Sequence, residues 1–277
     1  MTPTAAEGDA ARTLSVGIVV FRPDLALLRR VLDRLAAATR AAAPLAVTVD
    51  VVDNGPPGDE GALDALLEAV RASRPPFPIE VIRGQGNVGY GRASNLSIAR
   101  SAARFHLVLN PDAELEPDAL ARGLARLEAD PSIGMLAAWT VGADGVPQRL
   151  CKQYPSVLVL AMRALGLPFF RARVAAYDVQ PGPGELTDVT GRMVSGSFML
   201  CRTATLKAIG GFDPAYFLYF EDFDLSLRMA RVARLVWARD VRIAHHGGAA
   251  SRKGWLHRRL FARSALRFFS THGWRLW

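Results

Sequence analysis

The chain has 277 residues, of which 50% are hydrophobic and 22% are charged, with a formal net charge of +8. This composition is that of a folded globular protein and excludes a disordered, collagen-like or low-complexity chain. No apolar run approaches the ~20 residues needed to span a bilayer, and the two cysteines, Cys151 and Cys201, have no spacing typical of a disulfide framework or a zinc site.

The two ends of the chain differ from its middle. Residues 1–13 lack the apolar core of a signal peptide, so we expect a disordered N-terminus and a cytoplasmic protein. Residues 251–277 carry no acidic side chain, and from Trp255 to Trp274 arginines alternate with Leu, Phe and Trp. This basic amphipathic helical tail predicts peripheral contact with an anionic membrane face; a helix packed on the domain is the alternative. No motif supports a nucleic-acid partner.

The N-terminal half alternates β-branched apolar runs with segments of helical periodicity. Strands are predicted at 14–21, 47–52, 79–82 and 105–109, and helices at 25–39, 63–70 and 93–103. Strands separated by helices predict an α/β fold with a mostly parallel central sheet and helices on both faces. Ligands of such sheets bind beyond the carboxyl ends of the strands, where three polar clusters fall, at 22–24, 53–54 and 110–112.

The C-terminal half is less regular between residues 142 and 192, where a helix is predicted at 157–165. Beyond it, the pattern predicts strands at 194–201 and 236–241 and helices at 203–209, 221–232 and 255–269. There is no internal repeat.

Gly84, Gly86 and Gly89 form a G-x-G-x-x-G sequence between a predicted strand and a predicted helix. This could be a dinucleotide fingerprint, which would make the protein an oxidoreductase. Two earlier strands, and a helix predicted to begin only near Arg92, argue against that interpretation. A plain turn and a loop that contacts a nucleoside diphosphate stay open.

Three groups of polar residues carry candidate chemistry. Asp112 ends a strand, where a carboxylate can hold Mg²⁺ or Mn²⁺ against phosphates, although a capping turn is the alternative. His245 and His246 follow a strand beside two glycines and could approach a metal or a pyrophosphate. Glu221, Asp222 and Asp224 begin a helix; helix capping explains some of these acids, but crowding can also raise one pKa toward that of a general base.

Taken in chain order, these segments resemble glycosyltransferase family 2, and most closely the bacterial rhamnosyltransferases of surface-polysaccharide assembly. The resemblance spans residues 14–275 and rests on Ser15–Phe21, Val51–Gly55, Asn87–Gly91 with Asn95, Leu109–Asp112, Gly196–Leu200, Gly210–Asp213, Tyr219–Leu225 with Arg228, and His245–Gly248.

The resemblance implies a GT-A fold at 14–250, with a nucleotide-sugar half at 14–140, an acceptor half at 141–250 and a basic tail at 251–277. It implies an inverting transferase whose donor is dTDP-L-rhamnose or another nucleotide sugar. The sugar would be moved to a saccharide or lipid-linked acceptor at the inner face of the cytoplasmic membrane. A non-catalytic carbohydrate-binding relative is the remaining alternative.

The resemblance also implies roles for individual residues. Asp222 would be the general base. Asp112 and either His245 or His246 would hold Mg²⁺ or Mn²⁺; Asn110 stands where many relatives have the first Asp of a D-x-D motif, which leaves one carboxylate in place of two. The residues implied in donor binding are Phe21, Asp53, Asn87, Gly89, Asn95, Asn110 and Asp112. Those implied on the acceptor side or in helix positioning are Glu221, Asp224 and Arg228.

Overall fold

The computed structural model describes residues 12–165, 169, 171–179, 182, 184–247 and 254–276. The disorder predicted for the N-terminus falls on residues 1–11, which lie outside the described residues. The strands are β1 Thr13–Val20, β2 Ala46–Asp53, β3 Ile79–Ile82, β4 Phe105–Leu109, β5 Ala113–Leu115, β6 Ile133–Val141, β7 Pro147–Gln148, β8 Cys151–Lys152, β9 Leu186–Asp188, β10 Met193–Val194, β11 Phe198–Arg202 and β12 Arg234–His245. The helices are α1 Leu25–Ala41, α2 Gly61–Ala72, α3 Tyr90–Arg100, α4 Ala119–Ala129, α5 Val157–Leu165, α6 Arg171–Ala175, α7 Thr203–Ala208, α8 Glu221–Met229 and α9 Trp255–His272.

A central sheet in the order β3-β2-β1-β4-β11-β6-β12-β5 organises the described chain. The first four strands are parallel, as predicted for the N-terminal half. β11 runs antiparallel between β4 and β6, and β12 is parallel to β6. The carboxyl ends of β1, β2 and β4 therefore lie at one edge of the sheet, where the predicted polar clusters follow them.

Helices cover both faces of this sheet, and each face has its own hydrophobic core. Because side chains alternate along a strand, neighbours on one strand enter opposite cores: Leu107 of β4 packs with α1, α2 and α4, whereas Val108 packs with α3, α7 and α8. The α/β architecture with helices on both faces is confirmed.

Several boundaries differ from the prediction. The helix expected to begin near Arg92 begins at Tyr90, directly after Gly89, so that argument against a dinucleotide fingerprint was wrong. Gly89 has φ 89°, and a Cβ there would lie 2.4 Å from the backbone oxygen of Phe217. Glycine therefore permits both the turn and the close contact. The strand predicted at 194–201 is divided between β10 and β11.

Helix α9 packs on the domain through aromatic residues. Phe268 and Phe269 are buried against Tyr216, Phe220 and Met193. This is the arrangement given above as the alternative to membrane contact, but the two are compatible, because the opposite face of α9 is exposed. Within the described residues, no helix is both long and apolar enough to cross a bilayer.

Candidate active site

Phe21 and Asp53 lie side by side at the carboxyl edge of the sheet. Val20 is paired with Asp53 across β1 and β2, and Phe21 follows directly, with 50% of its surface exposed. The Asp53 carboxylate accepts a hydrogen bond from the backbone N–H of Gly55 at 3.0 Å. An exposed ring beside a held carboxylate is suited to a flat, hydrogen-bonding group such as a nucleobase.

Asn54, which lies in the polar cluster 53–54 but was given no role of its own, holds the glycine-rich loop. Its amide nitrogen donates to Oδ1 of Asn87 at 3.1 Å, and its Oδ1 accepts from the N–H of Val88 at 3.0 Å. The Asn54 side chain is buried, whereas Asn87 is exposed, so these bonds tie the exposed loop to the buried end of β2. The signal available in the sequence was an Asn in the turn after a strand, which is common in turns of every kind.

Both polar atoms of the Asn95 side-chain amide form hydrogen bonds with the backbone of one residue. Its Oδ1 accepts from the N–H of Phe212 and its Nδ2 donates to the carbonyl of Phe212, each at 2.8 Å. These bonds join α3 to the turn before α8 and give Asn95 a positioning role. Its predicted contact with the sugar donor stays a prediction.

Tyr90 connects the two predicted halves of the site. Its hydroxyl donates to Oδ1 of Asn110 at 2.9 Å and lies 3.3 Å from the carbonyl of Gly196. The N–H of Gly196 in turn donates to Oδ2 of Asp222 at 3.1 Å. Asp112 is two residues beyond Asn110, so a short chain of hydrogen bonds joins the donor edge to the predicted base.

Asp222 stands at the start of α8 after a strained backbone. Tyr219 and Phe220 both have positive φ, 72° and 65°. Such conformations cost on the order of 1–3 kcal/mol each for residues with a Cβ and persist where packing enforces them. Here Phe220 is fixed in the aromatic core beneath α9. These backbone conformations place the two acids that follow, Glu221 and Asp222, in the first turn of α8.

Burial raises the pKa of both Glu221 and Asp222, and the charge of Asp222 raises that of Glu221 further. Hydrogen bonds from the N–H groups of Gly196 and Phe223 stabilise the Asp222 carboxylate and moderate its shift. Oε2 of Glu221 is buried with no hydrogen-bond partner. As the pH rises, Asp222 therefore ionises first, while Glu221 is still neutral.

Replacing Glu221 by Gln is expected to stabilise the protein progressively as the pH rises above the ordinary pKa of a glutamate. The pKa of Glu221 is raised in the folded state, so the stability that its neutral form provides is lost as pH rises from the ordinary glutamate pKa to the raised one, and Gln retains it. We expect Tm to rise by about 3 °C near pH 9 and by less than about 1 °C near pH 5. Thermal melts across this range measure the difference, and an equal shift at both pH values would contradict the raised pKa.

Asp224 and Arg228 lie on the other side of α8. Nε of Arg228 is 2.7 Å from Asp224, and Nε2 of His272 at the end of α9 is 2.8 Å from the same carboxylate. The Asp224 and His272 side chains are almost fully buried, at 1% and 3% exposure. This cluster joins α9 to α8, which favours the helix-positioning alternative for Asp224 and Arg228; their role stays a prediction.

Asp112 faces His245, at the end of β12. Oδ1 of Asp112 is 3.3 Å from Nε2 of His245 and is buried without a hydrogen-bond partner. A Cβ at Gly247 would lie 2.1 Å from Oδ2 of Asp112. The second oxygen is therefore accessible only because residue 247 is a glycine.

His246 has a different partner. Its Nε2 is 2.9 Å from Glu114, which also contacts Arg30 at 2.9 Å. The sequence could not distinguish the two histidines. Of their two side chains, that of His245 faces the Asp112 carboxylate, whereas His246 contacts Asp112 through its backbone N–H.

The Asp112–His245 pair fits a divalent ion on its donor atoms. It combines a carboxylate oxygen that lacks a partner with an imidazole nitrogen facing it, and both are ligand types used by Mn²⁺ and related ions. The described residues contain no group of three or more His, Cys, Asp or Glu that could hold a metal. An ion here would therefore take its remaining ligands from a bound nucleotide or water, as Mg²⁺ commonly does.

The fold is that of the GT-A glycosyltransferases. A mannosyltransferase from Pyrobaculum calidifontis, solved with GDP-Man and Mn²⁺, superposes with a TM-score of 0.59 at 15% identity, covering 93% of this chain and 63% of its own. GalNAc-T7 with UDP, GalNAc and Mn²⁺ gives 0.63 at 15% identity over 85% and 43%. TarS of Staphylococcus aureus gives 0.56 at 17% identity over 94% and 72%.

The chain belongs to the glycosyltransferase-like family 2, whose model matches residues 14–263. An N-acetylglucosaminyl-diphospho-decaprenol L-rhamnosyltransferase of Mycobacterium tuberculosis is 26% identical over 228 residues, 78% of this chain and 71% of that protein. Rhamnosyltransferase WbbL of Escherichia coli is 26% identical over 153 residues, 52% of this chain and 55% of its own. The resemblance to this family is confirmed, and the dinucleotide-dependent oxidoreductase loses its support.

Proposed function

We propose that the protein is an inverting, metal-dependent glycosyltransferase that moves L-rhamnose from dTDP-L-rhamnose to a hydroxyl of a lipid-linked or oligosaccharide acceptor in bacterial surface-polysaccharide synthesis. The observation that carries this proposal is the hydrogen-bonded connection through Tyr90 between the Asn110–Asp112 edge and Asp222. It connects the edge proposed to hold the metal ion with a carboxylate whose pKa is raised, and displacement of a nucleoside diphosphate by a hydroxyl requires both in one site.

In this reaction, the acceptor oxygen attacks the anomeric carbon as the bond from that carbon to the diphosphate oxygen breaks. Asp222 removes the hydroxyl proton, a task that suits a carboxylate with a raised pKa. One displacement without a covalent intermediate inverts the anomeric centre. Glu221, neutral when Asp222 is ionised, adds no second negative charge beside the base.

On the donor side, Phe21 and Asp53 would contact the nucleobase, and Asn87 and Gly89 would line the diphosphate. Asp112 and His245 would hold Mg²⁺ or Mn²⁺. When bound, such an ion stabilises negative charge on the departing diphosphate. Asn110 accepts a hydrogen bond from the Tyr90 hydroxyl and would hold the segment from Asn110 to Asp112 in place beside the ion.

The experiment is a turnover assay with purified protein and a panel of nucleotide sugars that includes dTDP-L-rhamnose, with Mg²⁺ or Mn²⁺, and with and without a chelator. Released nucleoside diphosphate is measured, since slow hydrolysis of the donor needs no acceptor. We expect release from dTDP-L-rhamnose that the chelator abolishes. Release from a different donor would correct the sugar. No release, together with no thermal shift from any nucleoside diphosphate, would favour a non-catalytic relative.

The exposed face of α9 supports a peripheral membrane contact. Trp255, Leu256 and Leu266 are 79%, 64% and 61% exposed. Three arginines of α9, Arg258, Arg259 and Arg263, are also exposed and have no ion pair in the described part of the chain; Arg259 and Arg263 lie between these apolar side chains around the helix. Exposed apolar side chains between unpaired cations match the interface of an anionic bilayer. A lipid-linked acceptor, as in the name of the mycobacterial relative, would be presented at such a surface.

Replacing Arg258, Arg259 and Arg263 by Gln is expected to weaken binding to phosphatidylglycerol vesicles by about 100-fold, because each cation near an anionic surface contributes about 1 kcal/mol. Co-sedimentation measures the partition coefficient, with phosphatidylcholine vesicles as the neutral reference. Arg40, Arg74 and Arg231, which lie elsewhere and are exposed, provide a triple Gln variant of equal charge change. Equal losses in the two triple variants would contradict a contact through α9.

A further inference from the structure

The side chain of Gln148 contacts His245 at two points. Gln148 ends β7, which pairs with β6 beside β12. Its amide nitrogen donates to the backbone carbonyl of His245 at 3.2 Å, and its Oε1 lies 3.1 Å from Nδ1 of the same histidine. One side chain therefore holds both the backbone and the ring of His245.

These two contacts determine which ring nitrogen carries the proton. A backbone carbonyl can only accept, so the NH₂ end of the Gln148 amide must face it and Oε1 must face the ring. Because Oε1 can only accept, Nδ1 of His245 must be the donor. In the neutral imidazole, Nε2 is then unprotonated and directs its lone pair at Oδ1 of Asp112, 3.3 Å away.

Two acceptors facing each other repel unless a cation lies between them. Oδ1 of Asp112 is buried and has no hydrogen-bond partner, which agrees with an unprotonated Nε2 opposite it. In the other tautomer, Nε2 would donate to Asp112, and neither atom would be free for an ion. The hydrogen bond made by one ring nitrogen thus decides what the other can bind.

We propose that Gln148 is a positioning residue that holds His245 in the Nδ1–H tautomer and so presents Nε2, with Asp112, to the divalent ion. The ion itself rests on the proposed function, whereas the tautomer can be tested without it. Gln148 lies in the irregular part of the acceptor half, so this contact also connects that segment to the ion-binding edge.

The tautomer is measured in the metal-free full-length protein near pH 8 by long-range ¹H–¹⁵N correlation of the histidine rings. The chain has five histidines, and a His245→Asn variant assigns the signal. We expect Nδ1–H in the wild type and Nε2–H in Gln148→Leu. Gln153, whose side chain makes no hydrogen bond in the described part of the chain, provides the control Gln153→Leu, which should retain Nδ1–H. Nε2–H in the wild type would overturn the proposal even if Gln148→Leu did not fold.

Mn²⁺ affinity in the presence of dTDP, measured by the EPR signal of free Mn²⁺, is the second readout. Gln148→Leu is expected to weaken it by about 10- to 100-fold, as is typical when the hydrogen-bond partner of a ligating histidine is lost. Gln148→Glu keeps an acceptor at Nδ1 but loses the donor to the backbone carbonyl of His245, so it should weaken the affinity less than Gln148→Leu does. Equal losses in both variants would overturn the role of Gln148. Failure of the wild type to bind Mn²⁺ while showing Nδ1–H would instead contradict the proposed metal and with it the presentation of Nε2 to an ion.

Discussion

Replacing Asp222 by Asn is expected to lower kcat for sugar transfer by about 1,000-fold, the range typical of removing a general base. Asn is close in size and can still accept from the N–H of Phe223, so the start of α8 should persist. Donor binding should change little, because within the described residues the hydrogen bonds that connect Asp222 to the donor edge run through Gly196 and Tyr90. Steady-state kinetics with a fixed acceptor, together with dTDP binding measured by calorimetry, separate the two effects.

The pH dependence provides a second test of the same role. The base form of Asp222 is lost as pH falls through its folded-state pKa, which burial raises. The acid limb of kcat should therefore lie above the value of about 4 expected for an exposed aspartate. Glu221→Gln is the matched control: Glu221 is neutral where Asp222 titrates, so the limb should stay in place. A limb that moves to lower pH in Glu221→Gln would show that Glu221 ionises first.

Replacing Gly247 by Ala is expected to reduce turnover nearly as much as Asp112→Ala, by about 100-fold, as expected when a group that holds the reactants is misplaced. The added Cβ would lie 2.1 Å from Oδ2 of Asp112, so the carboxylate or the chain after β12 must move. Excess Mn²⁺ should restore part of the activity of Gly247→Ala, whose carboxylate is displaced but present, and little of that of Asp112→Ala. Donor hydrolysis across a Mn²⁺ titration measures both.

Gly61→Ala is the matched control for the glycine substitution, because a Cβ at Gly61 meets nothing within 4 Å. It should retain wild-type turnover and Mn²⁺ dependence. Full activity in Gly247→Ala, with an unchanged thermal transition, would contradict the proposal that Asp112 is needed in its present position.

The N-terminal elements could be predicted because their signals are local. β1, β2 and β4 lie within a residue or two of the predicted ranges, since apolar runs and the turns that end them are read from consecutive residues. The strand β5 and the helix α4, which follow Asp112, were not identified. The strand predicted at 194–201 contained a break that hydrophobicity does not reveal: Ser195 to Ser197 leave the strand, and the N–H of Gly196 bonds Asp222 instead.

The roles of Asp222 and Asp224 show why residue types alone were insufficient. Residues two apart on a helix point about 200° away from each other. The sequence therefore separates the two acids, but it does not say which faces the site. The packing of α9 determines this orientation. His272 of α9 lies in hydrogen-bonding contact with the Asp224 carboxylate, whereas the Asp222 carboxylate accepts a hydrogen bond from the N–H of Gly196.

By itself, the sequence determined the class of fold, the edge of the sheet at which the polar clusters meet, and the family, because strand periodicity, turn residues and ordered motifs are properties of nearby residues. Only the tertiary structure placed the ring of His245 against Asp112 and that of His246 against Glu114, and only it brought Asn54 to the glycine-rich loop and Gln148 to His245. These choices depend on strand register and on contacts between residues far apart in the chain. A hydrogen bond that forms across such a distance leaves no mark in the local pattern of either partner.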